Sequence, residues 1–155
     1  MTIRFTGLPT ADVTAIRASG RDAYDLPVER HISTGDAWPC RHCLQETPRG
    51  ETYLILAHRP FQGGNAYTET GPIYLCAAEC KAADPVAHVP PILRAPTYLA
   101  RGYSADERIV GGTGQVVETD ALADYAGALL SDPRIAFVDV RSAANNCFFC
   151  RVSRA

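Results

Sequence analysis

Three cysteine pairs hold the residues most capable of chemistry in this sequence: Cys40–Cys43 and Cys147–Cys150, each Cys-x-x-Cys, and Cys76–Cys80, one residue wider. Thiolates bind tetrahedral zinc at about 2.3 Å and also act as nucleophiles and redox groups, so spacing and setting must separate these uses. The first pair sits in Pro39-Cys40-Arg41-His42-Cys43, a polar and turn-rich stretch. A turn there brings both sulfurs toward one point, as in a zinc knuckle. His42, between them, is expected to face solvent.

The other two pairs read differently. Cys147 and Cys150 fall in a segment with strand character. Strand side chains alternate faces, so residues three apart point to opposite sides and do not share one ion. Cys147, beside Asn145-Asn146, is the freer of the two. Cys76 lies inside an apolar strand and reads as a small packing residue. Cys80 lies beyond it and is expected to open a helical turn, where backbone N–H groups lower a thiol pKa.

Spacing therefore nominates Cys40, Cys43, Cys80 and Cys147 for a closed four-thiolate zinc site, structural rather than catalytic. Two other readings stand beside it. The cysteines can be inert buried thiols, or Cys40 can be the nucleophile of a thiol-dependent or redox enzyme. Trp38-Pro39-Cys40-Arg41-His42-Cys43 is superficially similar to the Trp-Cys-x-x-Cys of thioredoxin-like proteins. It lacks the strand before it, and Leu44 to Pro48 is too short for the helix after it.

A separate constellation is polar. Arg41, Glu69 and Arg141 can line a small-molecule pocket in which guanidinium forks grip a carboxylate or phosphate without any metal. Gly111-Gly112-Thr113-Gly114 lacks the Lys-Ser/Thr of a phosphate loop and reads as a hairpin turn. His31, His42, His58 and His88 show no metalloprotease spacing, and no Gly-x-Ser-x-Gly occurs.

The elements that must position these residues can be read in part. Residues 2–6 suggest a short strand, followed by a helix that Thr10 caps and Gly20 stops, with Val13 and Ile16 on one face. Residues 21–38 read as irregular. Strands are predicted over 51–58, 73–77, 98–103 and 108–110, with an edge strand over 115–117. A helix over 119–130 carries Leu122, Tyr125, Ala126, Leu129 and Leu130 as an apolar stripe. Strands over 135–141 and 147–153 form a C-terminal hairpin across a short turn. The connections are too short for crossover helices, so the expected fold is α+β, an antiparallel sheet with about two helices, in a single domain over 1–155.

Together Pro39-Cys40-Arg41-His42-Cys43-Leu44, Gly50-Glu51, Tyr67 to Tyr74, Arg101-Gly102-Tyr103 and Val138 to Ala143 with Asn146-Cys147-Phe148 resemble an uncharacterised bacterial family, domain of unknown function 1203. The resemblance runs from about residue 39 to the C-terminus. It implies one whole domain, places Cys40 and Cys147 in matching segments, and brings no activity with it.

Composition sets outer bounds. Apolar residues are 46% and charged residues 21%, ordinary for a globular chain long enough to bury a core without staples. A net charge of −2 gives no electrostatic reason to expect nucleic acid or an anionic membrane as partner. The N-terminus lacks a secretory pattern and no apolar run approaches the ~20 residues of a membrane span, so a reducing cytoplasm is the expected compartment. The reading that follows is a non-catalytic small binding domain whose one candidate cofactor is a structural zinc on the cysteines.

Overall fold

The structure, a computed structural model, describes all 155 residues. Two compact units share the chain: residues 1–6, 61–69 and 84–155 form one, and residues 7–60 and 70–83 form the other. The fold is α+β, with two α-helices and two antiparallel sheets.

The first unit is built on a five-stranded sheet of β1 (Ile3–Thr6), β5 (Thr97–Tyr103), β6 (Gln115–Glu118), β7 (Phe137–Ser142) and β8 (Phe148–Arg154). Its order is β1-β8-β7-β5-β6, so the last strand pair is central and β6 is an edge, as the sequence predicts. Helix α2 (Leu122–Leu130) packs on this sheet, with Leu122, Ala126 and Leu130 fully buried, as are Ala100, Val138, Val140 and Val152 on the strands. One turn of 3-10 helix, Thr119–Ala121, leads into it. Strand period 2 sends the alternate residues Arg101, Tyr103, Asp139, Arg141 and Arg151 to the opposite face of the same strands.

The second unit holds a three-stranded sheet of β2 (Glu29–Ile32), β3 (Thr52–His58) and β4 (Gly71–Cys76), in that order. Leu54, Leu56, Ile73 and Leu75 form its core. Helix α1 (Thr10–Ser19) ends where Gly20 takes φ +64 and donates its N–H to the Ile16 carbonyl at 2.9 Å, a left-handed cap that favours glycine.

Some elements differ from the sequence reading, each for a local reason. Thr10 is the first helical residue rather than the cap, and its hydroxyl is engaged elsewhere. Strand β2 falls in a segment expected to be irregular. All four of its residues are exposed, so it has no apolar alternation to read, and pairing with β3 defines it. Residues 108–110 form no strand beyond a single bridge from Ile109 to Tyr103. The register between β7 and β8 shifts at Val140/Arg141, so β8 departs from strict alternation and buries Phe148, Phe149 and Cys150 in succession.

A candidate four-cysteine metal centre

The turn that carries the first cysteine pair is made by backbone hydrogen bonds. Cys40 donates to the Gln45 carbonyl at 2.9 Å, and Leu44 donates back to the Cys40 carbonyl at 3.0 Å. Leu44 takes φ +52, a left-handed conformation that a non-glycine residue holds only where its surroundings enforce it. Trp38, just before the turn, stacks on Tyr53 at 4.4 Å and 10°, and its N–H donates to Glu46 at 2.7 Å. The Arg41 N–H donates to the Tyr74 carbonyl at 3.0 Å, which docks the turn beside β4. Strand β4 ends at Cys76, and Cys80 follows four residues later with no helix between.

These two segments bring four sulfurs together. The Sγ atoms of Cys40, Cys43, Cys76 and Cys80 all lie within 4.8 Å of one another, and none of the six cysteines is in a disulfide. Cys40 and Cys80 are 3.9 Å apart. A tetrahedral ion at about 2.3 Å from each sulfur sets a sulfur–sulfur edge of about 3.8 Å. Cys40 and Cys76 are buried, while Cys43 and Cys80 are half-buried. A pocket of about 240 Å³ opens against Cys43, Cys76 and Cys80, with Glu46, Glu51 and Lys81 among its lining residues. An ion therefore has a way in.

The family model described as Protein of unknown function (DUF1203) matches residues 37–154, a span that contains all four sulfurs. The chain belongs to this family. No curated protein and no solved structure gives a significant match. For this DUF1203 member the chemistry therefore has to be read from its own atoms.

Polar groups around the sulfurs orient them. Arg17 on α1 donates from Nη2 to Cys80 Sγ at 3.2 Å, and from Nε and Nη2 to the Cys76 carbonyl at 3.2 and 3.0 Å. His42 lies 3.2 Å from Cys80 Sγ through Nδ1 and 3.0 Å from Thr10 Oγ1 through Nε2. Thr47 Oγ1 lies 3.3 Å from Cys76 Sγ. Thr10, Val13 and Arg17 recur at helical spacing on α1, so one face of the helix serves this corner of the unit. A thiolate only accepts, so with Cys80 ionised Nδ1–H donates to sulfur and Nε2 accepts from the Thr10 hydroxyl. Burial lowers the His42 pKa, which favours the neutral ring this arrangement needs.

The thiols themselves divide unequally. Hydrogen bonds from Cys43 and then Cys76 pull Cys40 far below the ordinary thiol range. Cys43 is pushed far up, first by its bond to Cys40, and Cys76 is raised to about 11, again first through Cys40. Cys40, Cys43, Cys76 and Cys80 would hold a dication as thiolates, so its binding would release the thiol protons and would depend on pH.

Of the residues nominated from sequence, Cys40, Cys43 and Cys80 come together, and the fourth sulfur is that of Cys76. Cys147 is not among the four; it lies in the other unit, just before β8. Cys76 is indeed buried and in a strand, but at the strand's last residue its sulfur joins the group. The signal was the Cys-x-x-Cys followed by Cys-x-x-x-Cys. Cys80 owes its polar setting to Arg17 and His42 rather than to a helix N-terminus, and His42 is only 1% exposed instead of solvent-facing.

The polar constellation also divides. Arg141 Nη2 lies 2.7 Å from Glu69 Oε2 in the first unit. Arg41 belongs to the second unit, where it donates from Nη1 to the Pro39 carbonyl at 2.8 Å and lies over the Tyr74 ring at 5.6 Å. Arg101, which sequence reasoning passed over, grips Glu69 with two contacts of 2.8 Å from Nη2.

Proposed function

We propose that this protein is a non-catalytic binding domain whose second unit is held by one structural zinc ion on Cys40, Cys43, Cys76 and Cys80. The observation that carries the reading is the mutual approach of four sulfurs within 4.8 Å, with the Cys40–Cys80 separation close to a tetrahedral edge. Zinc suits an all-sulfur tetrahedral set, and four protein ligands leave no position for a substrate or water. The ion would tie the turn after Trp38 to the end of β4, joining segments far apart in sequence.

The donor set fits the charge as well as the geometry. Four thiolates around a dication leave two negative charges, and the Arg17 guanidinium at Cys80 offsets part of that excess. The competing use of Cys40 as a substrate-facing nucleophile is poorly supported, because Cys40 is 0% exposed and reactive cysteines need access.

The test is metal analysis of the chain purified without chelator, alongside Cys76→Ser and Cys147→Ser. About one zinc per chain is expected in the parent and in Cys147→Ser, with a marked loss in Cys76→Ser. Cobalt substitution should give the thiolate charge-transfer bands of a tetrahedral all-sulfur site. A chain that purifies metal-free and melts at one temperature with zinc, with cobalt or with chelator would overturn the reading.

A further inference from the structure

The polar face of the five-stranded sheet contains a buried guanidinium whose donors are not all used. Arg141 on β7 is 3% exposed, and its Nη1 donates to the Asn146 carbonyl at 3.0 Å. Its Nε and Nη2 have no hydrogen-bonded acceptor. Glu69 Oε2 approaches Nη2 to 2.7 Å, which is ion contact without the alignment of a hydrogen bond. The Nε and Nη2 hydrogens point along one edge of a guanidinium, the edge that grips two oxygens of a carboxylate or phosphate side by side. A buried donor left without an acceptor is disfavoured, so this edge, unpaired at Nε and met at Nη2 only by the Glu69 ion contact, asks for a better-aligned pair of oxygens.

Its surroundings have the charge to match. Arg101, Arg141 and Arg151 face Glu69 and Asp139 on this side of the sheet, three cations against two anions. Asp139 is already held by Arg151, with contacts of 2.7 and 3.1 Å. The Tyr103 hydroxyl accepts from Arg101 Nε at 3.0 Å and sits 3.5 Å from Glu69 Oε2, which makes it a further donor beside the fork. The Glu69 side chain is 29% exposed, against 15% for Arg101 and 4% for Arg141, so of the three the carboxylate lies nearest solvent and the Arg141 fork lies beneath it.

We propose that Arg141, with Arg101 and Tyr103, forms a binding site for a small oxyanion with paired oxygens, a carboxylate or a phosphate, and that Glu69 is its internal, displaceable competitor. The ligand takes the Nε/Nη2 edge of Arg141, and the Glu69 carboxylate yields part of its hold on Arg101. The site lies in the first unit and does not rest on the zinc reading.

The experiment is titration of the full chain as purified with inorganic phosphate and separately with acetate, with chloride at equal ionic strength as reference, read at the Arg141 Nε–H resonance. A saturable shift with an oxyanion but not with chloride is expected, and the two titrations separate phosphate from carboxylate ligands. Glu69→Gln removes the competing charge and should tighten binding by about tenfold, a loss of competition worth about 1.4 kcal/mol. Arg141→Lys keeps the charge but not the fork and, followed at the Arg101 Nε–H resonance of parent and variant alike, should abolish the saturable response. A parent Nε–H resonance that responds to chloride as it does to oxyanions overturns the proposal, even where a variant fails to fold. So does a folded Glu69→Gln variant that binds no tighter than the parent.

Discussion

Replacing His42 with Ala separates an orienting role for the imidazole from simple core filling. The ring is 1% exposed and bridges Thr10 Oγ1 at 3.0 Å to Cys80 Sγ at 3.2 Å, so it fixes the direction of a sulfur it does not replace. Loss of such an outer contact typically weakens metal binding by about 10- to 100-fold. That corresponds to about 1.4 to 2.8 kcal/mol at one tenfold step per 1.4 kcal/mol. At fixed excess zinc the same amount disappears from the zinc-dependent part of the unfolding free energy. The assay is competition against a chromogenic chelator, paired with thermal unfolding with and without zinc. Thr10→Ala removes only the far hydrogen bond and should weaken affinity less than His42→Ala does. Because a truncated core ring also lowers metal-free stability, the deciding readouts are the affinity and the cobalt charge-transfer spectrum, which packing alone does not shift. A folded His42→Ala chain that binds zinc as tightly as the parent, with an unchanged cobalt spectrum, refutes the orienting role.

Three further outcomes follow from other contacts. A Cβ on Gly7 would lie 2.6 Å from the carbonyl oxygens of both Arg41 and His42, so Gly7→Ala must push the cysteine turn aside. Overpacking of this kind costs about 1–3 kcal/mol, and chemical denaturation together with a drop in zinc affinity should show it. Arg151→Ala strands Asp139, which is 0% exposed and keeps only a 3.9 Å contact to Arg141, and breaking a buried pair costs about 3–5 kcal/mol in a urea titration. Asp22 accepts from the N–H groups of Tyr24, Leu26 and Ala57; burial raises its pKa, but these donors outweigh it and the net shift is downward. Its stabilisation is therefore full above the unfolded value of about 3.9 and fades as pH falls through the lower folded value, so Asp22→Asn should flatten the acid limb of a melting-temperature profile.

The sequence made local order readable and left much of the distant assembly hidden. Helix α1, its glycine stop and the β7–β8 pair were visible because their signals are local: a helical period, a left-handed cap, a short turn. Strand β2 was not, because its four exposed residues carry no alternation and only its partner defines it. The four-cysteine cluster lies between these cases. Its turn was visible at Cys40 and Cys43, but Thr10 and Arg17 reach it across 32 and 63 residues, which no spacing rule connects. Strand alternation correctly argued that one ion cannot take both Cys147 and Cys150 from a regular strand. At Cys76 the same style of reasoning treated packing and membership of the sulfur group as alternatives. A strand's last residue can satisfy both, since its backbone belongs to the ladder while its side chain meets whatever turn packs beside the strand end. At Cys76 that turn carries Thr47, Cys40 and Cys43, so the burial that marks Cys76 as a packing residue also sets its sulfur beside theirs.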